Sequence, residues 1–145
     1  MRILIAGEIP FIDEVERLCR RAGHDVRVYL VEDILGAMEA EEDMDHLSNV
    51  EIAIELHNES AATKQELLSA LSAGVPADAL ILTSALVTGA TQAAAWTSHP
   101  ERVVGFAVLP LMFSAAVFTH PTGSLPLLCS CSPPTAAPAS ASDPV

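Results

Sequence analysis

Basic residues are scarce in this chain. Seven Lys and Arg stand against 19 Asp and Glu, a formal net charge of −12. A surface so poor in cations excludes nucleic acid and anionic membrane as partners, because both are held by basic patches. Cysteine is nearly absent. Cys19, Cys129 and Cys131 make no disulfide framework, and no metal is expected, since they have no ligand spacing with histidines. Cys19 falls on the apolar side of a helix, where a buried, inert thiol is expected. A long hydrophobic run is missing too. Residues 103–118 carry no charge, but they fall short of the roughly 20 residues of a spanning helix, and Gly105 and Pro110 interrupt them. The opening MRILIAG is too short an apolar run for a signal peptide and leads straight into a glycine turn, so a cytoplasmic setting is expected. No G-x-S-x-G or Walker pattern occurs.

Charge also disappears along the chain. After Arg102 the only formally charged residue is Asp143, and from Pro133 the text is Pro/Ala/Ser-rich. Such a composition buries too little apolar surface to offset chain entropy. Residues 113–145 are therefore expected to form a divergent, disordered tail behind a domain at 1–112. The shift is abrupt enough to suggest a change of reading frame near residues 110–113.

What remains is strongly patterned. A chain of 145 residues is long enough for one domain with a real core. The first 30 residues read as strand, turn, helix, strand. Residues 2–6 are an apolar β run closing on Gly7. Ile12, Val15, Leu18, Cys19 and Ala22 recur at helical spacing. Gly23 stops that helix, and residues 25–30 alternate as a strand. Further on, the pattern predicts an acidic helix over 32–44, a strand over 51–55 and a helix over 61–73 with Leu67, Leu68 and Leu71 inward. A strand follows over 80–83, then a short helix over 90–96 and a strand over 103–108. Strands alternating with helices, and apolar throughout, indicate an α/β fold: a Rossmann-like, doubly wound parallel sheet with right-handed crossovers.

Three stretches together resemble the NAD-binding domain of the 3-hydroxyacyl-CoA dehydrogenase family. They are IAG with RAGHDVRVYL, VEIAIELHNESAATKQELLSAL, and ALILTSALVTGAT with HPERVVGFAVLP. PERVVG after an apolar strand and a short helix is the most specific piece. The resemblance implies NAD as cofactor and oxidation of a 3-hydroxyacyl thioester. It also implies cofactor contacts at Gly7, Glu59 and Lys64. The family's Gly-x-Gly-x-x-Gly turn keeps only Gly7, its other glycines falling on Ile9 and Ile12. The ribose-binding acid at the second strand's end falls on Leu30, with Glu32 and Asp33 just beyond. The family's Asn-Thr-Ser falls on Ala85, Leu86 and Val87, and its catalytic histidine on Ala107. No catalytic residue is assigned, because an alcohol oxidation needs a base that alanine cannot supply. Among the histidines, His57 alone falls at a strand end near the expected cleft. Two further expectations concern association. The family's helical dimerisation domain is not in this sequence, and a sheet edge left open after the fifth strand would suit a second copy or a partner protein.

Overall fold

The computed structural model describes residues 1–39, 47–107, 115–119 and 127–130. Five strands form a parallel sheet: β1 (Arg2–Gly7), β2 (Asp25–Leu30), β3 (Ile52–Leu56), β4 (Leu80–Ser84) and β5 (Val103–Ala107). Helices α1 (Phe11–Arg21), α2 (Val31–Glu39), α3 (Ala61–Gly74) and α4 (Ala90–Ala95) lie between them. The strand order is β2-β1-β3-β4-β5, so the chain reverses direction across the sheet between β1 and β3. In an open parallel sheet that reversal opens a crevice outside the strands' carboxyl ends, and ligands bind there.

Two more strands, β6 (Ala115–Thr119) and β7 (Leu127–Ser130), extend the sheet beyond β5 by antiparallel pairing. Both fall inside the segment expected as a tail. Their sequences, AAVFT and LLCS, are short, uncharged and apolar enough to pair. Pairing with β6 occupies the edge of β5 that the sequence left open. The Pro/Ala/Ser stretch from Pro133 lies outside the described residues, as does the end of the acidic helix expected over 32–44.

Each face of the sheet carries its own core, because side chains alternate along a strand. Leu4 and Ala6 of β1, Ala53 of β3 and Ile81 of β4 face α2, α3 and α4. Ile3, Ile5, Ile54 and Leu56 face α1. The sheet is thus covered on both sides, and among the described residues α1 is the one helix on the second side. Ile12 and Val15 are the buried positions of α1, with Cys19 half-buried beside them. Leu18 and Ala22, also expected on that stripe, are exposed. The amphipathic face is narrower than the spacing suggests because only β1 and β2 support α1 extensively. Leu67, Leu68 and Leu71 of α3 are fully buried, as their spacing predicts. Among the described residues, no helix is long and apolar enough to cross a membrane.

Arg102 explains the distinctiveness of PERVVG. Pro100–Arg102 make one turn of 3-10 helix that aims the guanidinium back at the end of α3. Its Nη2 donates to Ser72 O at 2.7 Å and Ser72 Oγ at 3.0 Å, and its Nη1 donates to Pro76 O at 2.5 Å. Carbonyls at a helix C-terminus lack intrahelical partners, and a fixed cation there satisfies them and suits the helix dipole. Arg102 therefore locks the α3–β4 connection onto the start of β5. Burial lowers its basicity, but an arginine stays charged.

Candidate functional site

The β1–α1, β2–α2 and β3–α3 connections meet outside the carboxyl end of the sheet. They enclose a cavity of about 500 Å³ at the chain reversal. Ile9, Leu30, Val31 and Leu35 give it an apolar side. Glu8, Glu32, Glu59, His57 and Thr63 give it a polar side, and Gly7 completes the lining. Neither lysine nor arginine is among these residues, so three carboxylates set the charge of the cavity.

Glu8 holds the cavity's inner wall together. Its Oε1 accepts the Asn58 backbone N–H at 2.8 Å, and its Oε2 lies 2.9 Å from His57 Nδ1. The loop after β1 is thereby tied to the loop after β3, across the reversal. His57 sits one residue beyond β3 and is 5% exposed. Its Nε2 accepts the Ser60 N–H at 3.1 Å, so in the neutral ring the proton resides on Nδ1. At 2.9 Å from Glu8 Oε2, that Nδ1 is paired with the carboxylate, in a contact bent away from ideal hydrogen-bond geometry. Ser60 is the N-cap of α3, its hydroxyl accepting from Thr63 N–H at 3.4 Å. Ser84 Oγ donates to Asn58 Oδ1 at 2.7 Å and joins the end of β4 to the same wall.

Beneath this wall lies a second polar cluster. Glu55 and Lys64 are both fully buried and form an ion pair between β3 and α3. Lys64, the only lysine in the chain, also donates to His57 O at 2.8 Å. Thr83 Oγ1 donates to Glu55 Oε2 at 2.6 Å, and His57 N–H donates to Glu55 Oε1 at 2.6 Å. Burial pushes the Glu55 carboxyl up and the Lys64 amine down; each partner's charge, and the donors around Glu55, oppose that. With three donors on two oxygens, Glu55 is arranged as a carboxylate.

The three residues singled out for cofactor contact lie at different depths. Glu59 is exposed and lines the cavity. Gly7 ends β1 and also lines it. A Cβ on Gly7 would come within 2.7 Å of Leu56 Cβ and 2.9 Å of the Leu56 backbone, so close strand packing already requires glycine there. Lys64 does not line the cavity and is held by Glu55 and the His57 carbonyl. Leu30 and Glu32 both line the cavity, whereas Asp33 turns back to accept the Leu30 N–H at 3.1 Å. At the position of the family's third turn glycine, Ile12 packs into the core at 2% exposure. Leu86 and Val87 stand exposed beyond β4. Ala107 ends β5.

Sequence reading missed Glu55, Thr83, Asn58 and Ser84, and it gave His57 no partners. A signal was available: Glu55 is an acid in an otherwise apolar strand, and a lone charge there needs a buried counter-ion. Its partner, nine residues on, could not be picked out without the strand–helix geometry. Among the described residues, no His/Cys/Asp/Glu group could hold a metal.

Comparisons with known proteins agree with this architecture. (S)-3-hydroxybutyryl-CoA dehydrogenase from Ralstonia eutropha superposes with a TM-score of 0.68 at 16% identity, over 82% of this chain and 53% of that one. FadB2 of M. tuberculosis gives 0.62 at 21% identity, over 76% and 50%. The dehydrogenase part of multifunctional enzyme 1 from C. elegans gives 0.59 at 16% identity, over 76% and 32%. This chain spans about half the length of the first two, and at such identities the likeness is one of fold. No curated protein matches it. The model of the family described as 3-hydroxyacyl-CoA dehydrogenase, NAD binding domain, matches residues 12–109, more than half of the chain. By that match, and with the parallel sheet and its crevice in place, the chain belongs to the NAD-binding-domain family of the 3-hydroxyacyl-CoA dehydrogenases.

Proposed function

We propose that this chain keeps the Rossmann scaffold of its family without carrying out hydroxyacyl-CoA oxidation by itself. One observation carries the reading: the carboxylate of Glu8 stands at the chain reversal, tied to Asn58 and beside His57. A dinucleotide of the usual kind lays its doubly charged pyrophosphate there, on the helix that follows β1. Glu8 opposes that charge, and Asp13 and Glu14 in the first turn of α1 add to the opposition. Ile9 and Ile12 replace the two glycines that would let the backbone approach, and the lining offers no compensating cation. The residues present do not suit NAD in the family's manner. The chemistry is short of a group as well, because Ala107 occupies the position that the resemblance gives to the base.

Calorimetric titration with NAD and NADH tests the first half of this reading. Binding tighter than about 1 mM would overturn it. Assay of the purified chain with a 3-hydroxyacyl-CoA and NAD tests the second half, where the expected result is no turnover above the uncatalysed background.

A second reading is an interaction module, alone or completing a partner-dependent dehydrogenase. Ile9, Leu30, Leu86 and Val87, four of the exposed large apolar side chains among the described residues, all lie in segments at the carboxyl end of the sheet. Light scattering across a concentration series distinguishes the two: a monomer at all concentrations disfavours self-association through this end.

A further inference from the structure

We propose that His57 is a pH-operated latch on the start of α3: the neutral ring holds the β3–α3 loop shut, and the protonated ring releases Ser60 so that the loop opens. Two states of one side chain carry the change, whether or not NAD binds.

The neutral ring joins two loops. Its Nδ1 lies 2.9 Å from Glu8 Oε2, and its Nε2 accepts the Ser60 N–H at 3.1 Å. An imidazole nitrogen that accepts an N–H carries no proton of its own. Charging the ring puts a proton on Nε2, aimed at the Ser60 N–H. Two donors then face each other where one bond stood, and that bond is lost. The other side gains, because Nδ1–H and the Glu8 carboxylate become an ion pair.

The surroundings decide which part yields. The His57 main chain is clamped at both ends: its N–H donates to Glu55 Oε1 at 2.6 Å, and its carbonyl accepts from Lys64 Nζ at 2.8 Å. The Glu8 side is fixed as well, since its other carboxylate oxygen holds the Asn58 N–H. Ser60 has the weaker anchorage. It is half-buried beside the exposed Glu59, and the cap bond from Thr63 N–H to its hydroxyl is long, at 3.4 Å. Ser60 and the first turn of α3 therefore give way, and Glu59 goes with them. Because Glu59 lines the cavity at the chain reversal, the latch sets how firmly that wall is held.

Charges reach His57 from every element around it. Glu8 comes from the β1–α1 loop, Glu55 from β3 and Lys64 from α3, while Glu32 of α2 and Glu59 share its cavity. Glu55 and Lys64 are matched to each other, which leaves three carboxylates to receive the cationic ring.

The test is an NMR titration of the full chain from about pH 8 to about pH 5, the range in which histidine is the side chain that changes charge. The His57 ring and the Ser60 amide should titrate with one midpoint. Exchange protection at Ser60, corrected for intrinsic rate, should fall about tenfold, as for one hydrogen bond lost. The rings of His24 and His99 should titrate with no echo at Ser60. His57→Gln places an amide oxygen where Nε2 stands, so Ser60 should no longer respond to pH. Glu8→Gln keeps an acceptor for the Asn58 N–H but removes the ion pair, and should lower the common midpoint by about one pH unit. A His57 ring that titrates while Ser60 stays still overturns the latch, and so does a ring that stays neutral throughout. A Ser60 response that persists in His57→Gln belongs to a carboxylate and overturns it too. An unmoved midpoint in Glu8→Gln overturns the part given to Glu8.

Discussion

Lys64 and Glu55 form an ion pair with no exposure to solvent, reaching from the first turn of α3 to the middle of the sheet. Thr83 and the His57 N–H complete the shell of donors around the carboxylate. A pair in this setting is weak evidence of net stability, because both ions lose their hydration. Its two members nevertheless depend on each other. Removing one leaves the other charged, buried and unmatched.

Lys64→Met is therefore expected to cost about 3–5 kcal/mol. Adding Glu55→Gln should recover a large share of that loss, since Gln still offers an acceptor to His57 N–H and Thr83. Urea denaturation of the two single variants and the double variant completes the cycle. A double variant no more stable than Lys64→Met would remove the carboxylate as the source of the loss. The pH response has a definite sign. Burial holds the Glu55 carboxyl above its usual 4.5, and without Lys64 nothing cationic opposes that. A raised carboxyl favours the folded state fully below the unfolded value, and that contribution is lost as pH rises through the folded value. The deficit of Lys64→Met against the parent should therefore shrink as pH is lowered toward 4.5.

Gly7→Ala is expected to destabilise the fold by about 1–3 kcal/mol, because the added methyl meets Leu56 at 2.7 Å, closer than real Cβ atoms approach. Shortening Leu56 to Ala in the same chain leaves that Cβ in place and should not rescue it. Thermal melts decide the point. A neutral Gly7→Ala would show that β1 and β3 can separate at their ends.

Arg102→Met should loosen the α3–β4 connection, with a loss of about 1.5–3 kcal/mol for the charge-assisted bonds to Ser72 and Pro76. Hydrogen exchange should quicken first around residues 72–79. Lys in place of Arg should rescue little, because one ammonium cannot hold carbonyls on two sides as a planar fork does. Full rescue by Lys would reduce Arg102 to a simple charge.

The layout of this fold is legible in the sequence wherever one residue's chemistry decides one element. The apolar run closing on Gly7, the Leu67/Leu68/Leu71 stripe and the alternation of strands with helices all lead to the observed sheet. The site is less legible, because its parts belong to loops that only the sheet brings together. Glu8 and Asn58 lie far apart in the chain and 2.8 Å apart in space. As a neighbour of Gly7, Glu8 reads as an acid near a helix start. Only the return of β3 beside β1 turns it into a strut. Lys64 shows the same effect in reverse: its place in a helix gives no hint that an acid nine residues earlier draws it out of water. Likewise AAVFT and LLCS read as part of a tail, because a strand's partner does not show in its own sequence.

Glu8 also bears on the speed of events at the crevice. The Asn58 N–H and the edge of His57 are already engaged before any ligand arrives. A molecule that needs those groups must wait for the strut to open. Its association rate would then level off with concentration at the opening rate, and its apparent affinity would be reduced by the fraction of molecules found open. A molecule that leaves the strut closed would meet no such gate and would associate in proportion to its concentration.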